Sequence, residues 1–177
     1  QDSLSVVDTP VIPDTIVKAH LAFVGDLMCH STQFEFAAVG KDSFSFYPTF
    51  DQIKPFLSAA DFTLGNLETT LSGKKPFKGY PQFNSPDSYL DAIVDAGFDF
   101  LVTSNNHSLD TRDEGLVRTI DQIRQRGVGS TGTYLSQEDR DSIRVVDVKG
   151  IKFAILNYTY GTNGLPLPEG KPWAVNL

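Results

Sequence analysis

The sequence predicts an α/β fold with a mostly parallel sheet flanked by helices. Two observations lead there. Short apolar runs alternate with segments of helical period along most of the chain, the alternation that builds a parallel sheet from strand–helix units. Three of those runs stop at polar clusters: Gly25-Asp26, Gly65-Asn66-Leu67-Glu68 and Asn105-Asn106-His107-Ser108-Leu109-Asp110. Open α/β sheets bind ligands at the carboxyl ends of their strands, so three such endings imply one shared site, for a metal or a phosphate.

Residues 1–19 are polar and Pro-containing and read as an N-terminal linker or tail. The folded domain, 20–177, opens with His20–Val24, a short buried strand bounded by Gly25. Residues 32–39 and 49–60 hold apolar positions at mixed helical spacing, punctuated by Pro48 and Pro55, and read as helical segments around an irregular loop. Asp61–Leu64 is the next strand. Leu71–Pro81, broken by Gly73, Pro76 and Gly79, is a long excursion of the kind that borders sites.

Ser85-Pro86-Asp87 predicts a helix start, with Ser as N-cap, Pro at the first helical position and acid in the first turn. Leu90, Ile93 and Val94 share its inner face, and Gly97 ends it. Phe98–Thr103 is a strand. Thr111–Glu114 matches a capping box, opening a helix with Leu116, Ile120 and Ile123 inward. Gly127–Gly132 reads as its C-cap and turn. Ile143–Val148 and Lys152–Tyr158 flank Lys149-Gly150 as a hairpin, and Gly161–Leu177 reads as an irregular loop.

Composition excludes some functions. The formal charge of −7 and the lack of a long Lys/Arg run argue against nucleic acid as a partner, so any polyanion-binding surface must be local. The single cysteine, Cys29, permits neither an intramolecular disulfide nor a Cys-rich zinc site, and reads as a small buried hydrophobe. No apolar run reaches 18 residues. The tail suits a spacer between an envelope anchor and a folded domain, which makes export to the cell envelope the expectation; it suits a trimmed chain equally well.

Asp26 follows a glycine at a strand end, where its carboxylate faces the sheet edge and suits a hard cation, although Gly-Asp also forms Asx turns and helix N-caps. Asn66 and Glu68 have the same relative place after the second strand; alternatively they serve their own turn. In Asn105-Asn106-His107 an Asn amide oxygen can serve as a metal ligand, and the histidine beside it as ligand, phosphate-binding donor or general acid. Asp110 follows three residues later. The backbone amides of Gly161–Gly164 are candidates for the same edge. No P-loop, nucleophile elbow, dinucleotide fingerprint or zinc-protease motif occurs.

With Val24–Met28, Gly65–Glu68, Asn105–Asp110 and Asn157–Gly161 in this order, the chain resembles the bacterial capsule synthesis protein CapA family, also called the poly-gamma-glutamate synthesis family. That family is related to calcineurin-like metallophosphoesterases, whose fold pairs two sheets between helices, so the resemblance implies a metallophosphatase-like layered sandwich. The resemblance implies a divalent metal (Mn, Zn or Fe) held by Asp26, Asn66, Glu68 and Asn106, with His107 catalytic. It implies a metal-dependent hydrolase or transferase acting on an anionic polymer or phosphate-containing substrate, alongside membrane-bound capsule synthesis partners.

Three departures qualify this. Met28 stands where the metallophosphoesterase motif has histidine, the bridging carboxylate position is the neutral Asn66, and no histidine follows His107. The chain therefore looks like the N-terminal part of such a domain, with homodimerisation through the incomplete domain as one expectation. A non-catalytic envelope protein with a decayed metal site, binding an anionic polymer or an assembly partner, is the alternative.

Overall fold

The computed structural model describes residues 16–177. In chain order the elements are β1 (Leu21–Leu27), α1 (Ser31–Ala37), β2 (Ala38–Gly40), β3 (Ser43–Phe44), α2 (Tyr47–Phe50), α3 (Lys54–Leu57) and β4 (Phe62–Leu67). There follow α4 (Asp87–Asp95), β5 (Phe100–Val102), α5 (Arg112–Gln125), β6 (Gly129–Thr131), α6 (Gln137–Asp141), β7 (Arg144–Val148) and β8 (Ile151–Ile155). Four strands form one parallel sheet in the order β1-β4-β5-β6, while β2-β3 and β7-β8 are separate antiparallel pairs.

Alternation along the strands divides the core into two layers. Leu67 and Leu101 face the helical side, where they meet Phe46, Phe50, Leu90 and Ile93 from the α2–α4 region. Phe62, Leu64, Phe100 and Val102 face the other side, packed by Val146, Val148, Phe153 and Ile155 of the β7–β8 hairpin. The sheet is thus covered by helices on one face and by a small second sheet on the other, in keeping with a metallophosphatase-like α/β fold. A third cluster joins Leu116 and Ile120 of α5 to Ala174 and Val175, so the C-terminal stretch read as irregular loop is an ordered part of the packing. Among the described residues no helix is long and apolar enough to cross a membrane.

Several local expectations are corrected. β1 does not stop at Gly25: Val24 pairs with Gly65 and Asp26 with Asn66, leaving Gly25 as the extra residue of an irregularity, after which the strand continues to Leu27. β4 likewise continues through Asn66, so two site candidates are strand residues. Segment 49–60 forms two single turns, α2 and α3, in place of one helical stretch. Gly129–Thr131, read as turn, is a strand because the exposed edge of β5 accepts it in parallel register.

Ser85 is not the N-cap of α4. Pro86 occupies that position, and the Ser85 hydroxyl is bonded to Thr69 Oγ1 at 2.8 Å. The Thr111 capping box does not close either: Arg112 adopts φ 62°, and Thr111 Oγ1 has no partner, while Glu114 pairs with Lys74. The Lys149-Gly150 turn is as expected, both residues having positive φ, 56° and 83°. The tail expected over 1–19 lies mostly outside the described residues; 16–20 carry no regular structure, and Ala19 packs against the sheet.

Gly65 has no room for a side chain, since a Cβ there would lie 2.7 Å from both Leu27 Cδ1 and Phe98 Cε1. Gly65→Ala should therefore overpack the core and cost about 1–3 kcal/mol. Urea denaturation checks this, and an unchanged midpoint would show that Leu27 and Phe98 yield freely.

Candidate functional site

The strand order β1-β4-β5 sets Asp26, Asn66 and the loop after Val102 side by side along one edge of the sheet. A chain of amides crosses that edge. The His107 backbone N–H donates to Asn105 Oδ1 at 3.0 Å, and Asn105 Nδ2 donates to Asn66 Oδ1 at 3.0 Å and to the Leu67 carbonyl at 2.9 Å. Asn66 Nδ2 in turn donates to Asp26 Oδ1 and to Glu68 Oε2, both at 2.8 Å. One amide thus draws two carboxylates together.

His107 closes the site. Its ring is buried, its Nδ1 lies 2.7 Å from Asp110 Oδ2, and its Nε2 faces Glu68 Oε1 at 4.0 Å. An ionised Asp110 accepts from Nδ1–H, which fixes the tautomer and leaves Nε2 toward the carboxylates. Asp110 Oδ2 also accepts the Phe83 backbone N–H at 2.6 Å, and the Phe83 ring meets the imidazole edge-on at 4.8 Å between centroids. The loop 105–110 is held from within, because Ser108 Oγ donates to the Thr103 carbonyl and accepts from the Asn105 N–H.

The predicted residues are not all in one place. Asp26, Asn66, Glu68 and His107 come together, whereas Asn106 turns away from the carboxylates and donates to Asn163 Oδ1 at 3.2 Å. Its neighbour Asn105 makes the link to Asn66. The Gly161–Gly164 loop does reach the site, by the Asn163 side chain, which stands 3.4 Å from His107 Nδ1. Asn106, His107, Asp110 and Asn163 line a cleft of about 360 Å³ roofed by Tyr80 and Pro81. Asn105, Asn163 and Phe83 had no assigned role in the sequence reading; Asn105 carried a signal, as the first Asn of the pair, and Phe83 acts through its backbone and ring edge, which no motif records. Cys29 is fully buried and its thiol is pushed up to about 12 by burial, as befits a core residue.

Burial, followed by the adjacent Asp26 carboxylate, raises the pKa of Glu68 above the ordinary range, against the opposing pull of His107 and the Asn66 amide. Burial raises that of Asp110 as well, despite its Phe83 and His107 partners. The donor set is chemically suited to a divalent cation: two carboxylates forced together, an imidazole nitrogen facing them, and an excess of negative charge that a cation would relieve. It supplies only part of a coordination sphere, since among the described residues no group of three or more His, Cys, Asp or Glu side chains stands ready to hold a metal.

Comparison with known proteins agrees with this architecture. The model of the family "Bacterial capsule synthesis protein PGA_cap" matches residues 20–176. The PGA biosynthesis protein CapA of Bacillus subtilis is 24% identical over 151 residues, covering 82% of this chain and 38% of its own length. Two Sinorhizobium fredii proteins, the uncharacterized proteins y4sH and y4uA, are each 29% identical over 118 residues, covering 63% of this chain and 26% of theirs. The chain therefore spans well under half the length of these relatives.

Because the folded state holds the Glu68 proton more tightly than the unfolded chain does, the stability linked to that proton is present at low pH. It is lost as pH rises through the folded pKa. Glu68→Gln keeps an acceptor for Asn66 and has no charge to lose, so its stability relative to the parent should grow between about pH 4 and pH 7. Thermal melting across that range checks this; a constant difference would mean that Glu68 is not perturbed.

Proposed function

The chain belongs to the bacterial capsule synthesis protein family PGA_cap, and we propose that its sheet-edge cluster is the working site of a metal-dependent hydrolase or transferase. Its setting is capsule or poly-gamma-glutamate production at the cell envelope, and its substrate an anionic polymer or a phosphate-containing compound. One observation carries the reading: Asp26 and Glu68 are drawn together by Asn66 beside a histidine whose Nδ1 is bonded to the buried Asp110 carboxyl.

In this reading Asp26 and Glu68 would hold the cation, and Asn66 between them would join once its amide oxygen turned from Asn105 to the ion; Asn106, bonded to Asn163, stands outside that set. A bound divalent ion supplies Lewis acidity at a phosphoryl or acyl oxygen and a water of lowered pKa. His107 does the proton work. Backed by Asp110, it takes the proton of the attacking nucleophile at Nε2 and delivers it to the leaving group, and its buried position keeps bulk water from competing. Asn163 and Asn106 line the cleft beside it and offer amides to substrate oxygens.

The non-catalytic alternative has its own support. Asn66 presents its N–H groups to the carboxylates, and its oxygen is already taken by Asn105; as built, the amide does part of a cation's work. In that case the protein binds an anionic polymer or an assembly partner without turnover.

Metal content per chain, measured by mass spectrometry after equilibration with Mn²⁺ or Zn²⁺ and desalting, separates the two. Near-stoichiometric metal, lost in Asp26→Ala, supports the hydrolase reading. His107→Ala should then keep its metal while phosphoester turnover falls by about 10²–10⁴-fold. A parent that retains no metal, beside an Asn66→Asp variant that does, would favour the decayed site.

A further inference from the structure

The cleft beside His107 has a chemistry that the carboxylate edge does not use. Its wall presents three carboxamides, Gln82, Asn106 and Asn163, together with the Tyr80 side chain and the Asp110 carboxyl. No Lys or Arg is part of that wall; Lys74, Lys75 and Lys78 line neighbouring clefts instead. At about 360 Å³ the space is in the range of small-molecule sites.

Both rims of the cleft are fixed. Tyr80 stands on a loop closed at its base by reciprocal backbone bonds between Lys78 and Asn84, at 3.0 and 2.9 Å. Phe83 N–H ties the same loop to Asp110, and Gly79 presses it against the start of α1, where a Cβ would lie 2.8 Å from the Ser31 nitrogen. Tyr80 is nonetheless 75% exposed, so a large aromatic is held open at the mouth. On the other rim, Asn163 has a left-handed φ of 51° in a turn closed by the Leu165 N–H on the Thr162 carbonyl at 2.9 Å.

The amides between these rims are loosely engaged. Asn106 Nδ2 reaches Asn163 Oδ1 at 3.2 Å, and Asn163 Nδ2 stands 3.4 Å from His107 Nδ1, distances at or past the long end of ordinary hydrogen bonds. Such contacts exchange readily for those of a ligand. A carboxamide both donates and accepts, as a hydroxyl does, whereas an ionised acid only accepts. An anion in this cleft would use the amide N–H groups and leave the amide oxygens facing its charge, with no cation in the wall to offset them. The Asp110 carboxyl in the wall and Glu68, 4.0 Å behind His107 Nε2, add to that opposition. A neutral polyhydroxylated ring meets neither difficulty: its C–H face suits the Tyr80 ring and its hydroxyl rim suits the amides.

We propose that the His107 cleft is a subsite for a neutral sugar ring, with Tyr80 as its stacking platform and Gln82, Asn106 and Asn163 as partners of its hydroxyls. The choice of substrate follows: of the classes named above, a phosphate-containing compound with a sugar as its uncharged half. The phosphoryl group then lies at the carboxylate edge and the sugar one imidazole away. This last step rests on the proposed function; binding of the sugar ring in the cleft stands without a metal.

The test is titration of the 177-residue chain, in the presence of a chelator, with methyl glucoside, methyl galactoside and methyl N-acetylglucosaminide, followed by saturation-transfer NMR. The parent should bind at least one of them. Tyr80→Ala should weaken that binding by about three- to tenfold, Tyr80→Phe should hold it within about twofold, and Asp26→Ala should do the same. Methyl glucuronide, the same ring with an acid, should bind the parent more weakly than methyl glucoside, and Gln82→Lys should reverse that order. A parent that binds none of the glycosides, that prefers the glucuronide, or that binds adenine, flat but without hydroxyls, more tightly than any glycoside overturns the subsite, as does equal loss in the two Tyr80 variants. Because no metal is present, the result is independent of turnover: glycoside binding by a chain that retains no Mn²⁺ or Zn²⁺ supports the subsite and removes the hydrolase, and metal retention without glycoside binding does the reverse.

Discussion

The sideways chain of amides from His107 through Asn105 and Asn66 to Asp26 and Glu68 is the constraint on which the site depends. Each side-chain amide has one donor end and one acceptor end, so polarity set at one point is passed along. The backbone N–H of His107 can only donate, which makes Asn105 Oδ1 the acceptor; Asn105 must then donate to Asn66 and Leu67, and Asn66 must donate to the carboxylates. Turning either amide over would place oxygen against oxygen and leave buried groups unpaired, at about 1–3 kcal/mol for each orphaned group. The two carboxylates are held close because the backbone of a loop one strand away dictates which way an amide points.

That chain requires strands, not loops. Asp26 and Asn66 are register partners on neighbouring strands, so the spacing between them is the spacing of a parallel ladder. The irregularity at Gly25 lets β1 recover its pairing just in time to put Asp26 opposite Asn66. Fixing Asp26 and Asn66 on the sheet while placing Phe83 and Asn163 on the surrounding segments divides labour in a familiar physical way. The register pair that sets the spacing stands on the stiffest elements, and Glu68, His107 and Asp110 stand on the segments that follow strands, the 105–110 loop pinned by Ser108.

Much of this was legible in the residues. The strands β1, β4 and β5 follow from short apolar runs, α4 and α5 from periodicity and terminal glycines, and the β7–β8 hairpin from Lys149-Gly150; the clustering of Asp26, Asn66, Glu68 and His107 follows from the rule that parallel strands end at one edge. What failed did so for identifiable reasons. β6 has three residues and no apolar run, so only the waiting edge of β5 defines it. Ser85 and Thr111 have the composition of caps, but tertiary contacts claimed one hydroxyl and a left-handed residue at Arg112 moved the other. Asn105 and Asn106 are chemically identical neighbours, and which of them faces the carboxylates is decided by loop geometry that composition does not encode.

Holding Asp26 and Glu68 together has an energetic consequence that bears on what the edge is for. Two carboxylates near one another and partly out of water raise the proton affinity of one of them, as seen at Glu68, and such an arrangement weakens the fold at neutral pH. Structure alone would be better served by an apolar or neutral residue at position 68. A buried Asp110 with one oxygen unpartnered, directly behind His107, is a second uncompensated cost at the same edge. Local departures from the most stable choice that gather in one place mark where a fold is spent on function rather than stability, and here they gather where three strands end beside the His107 cleft.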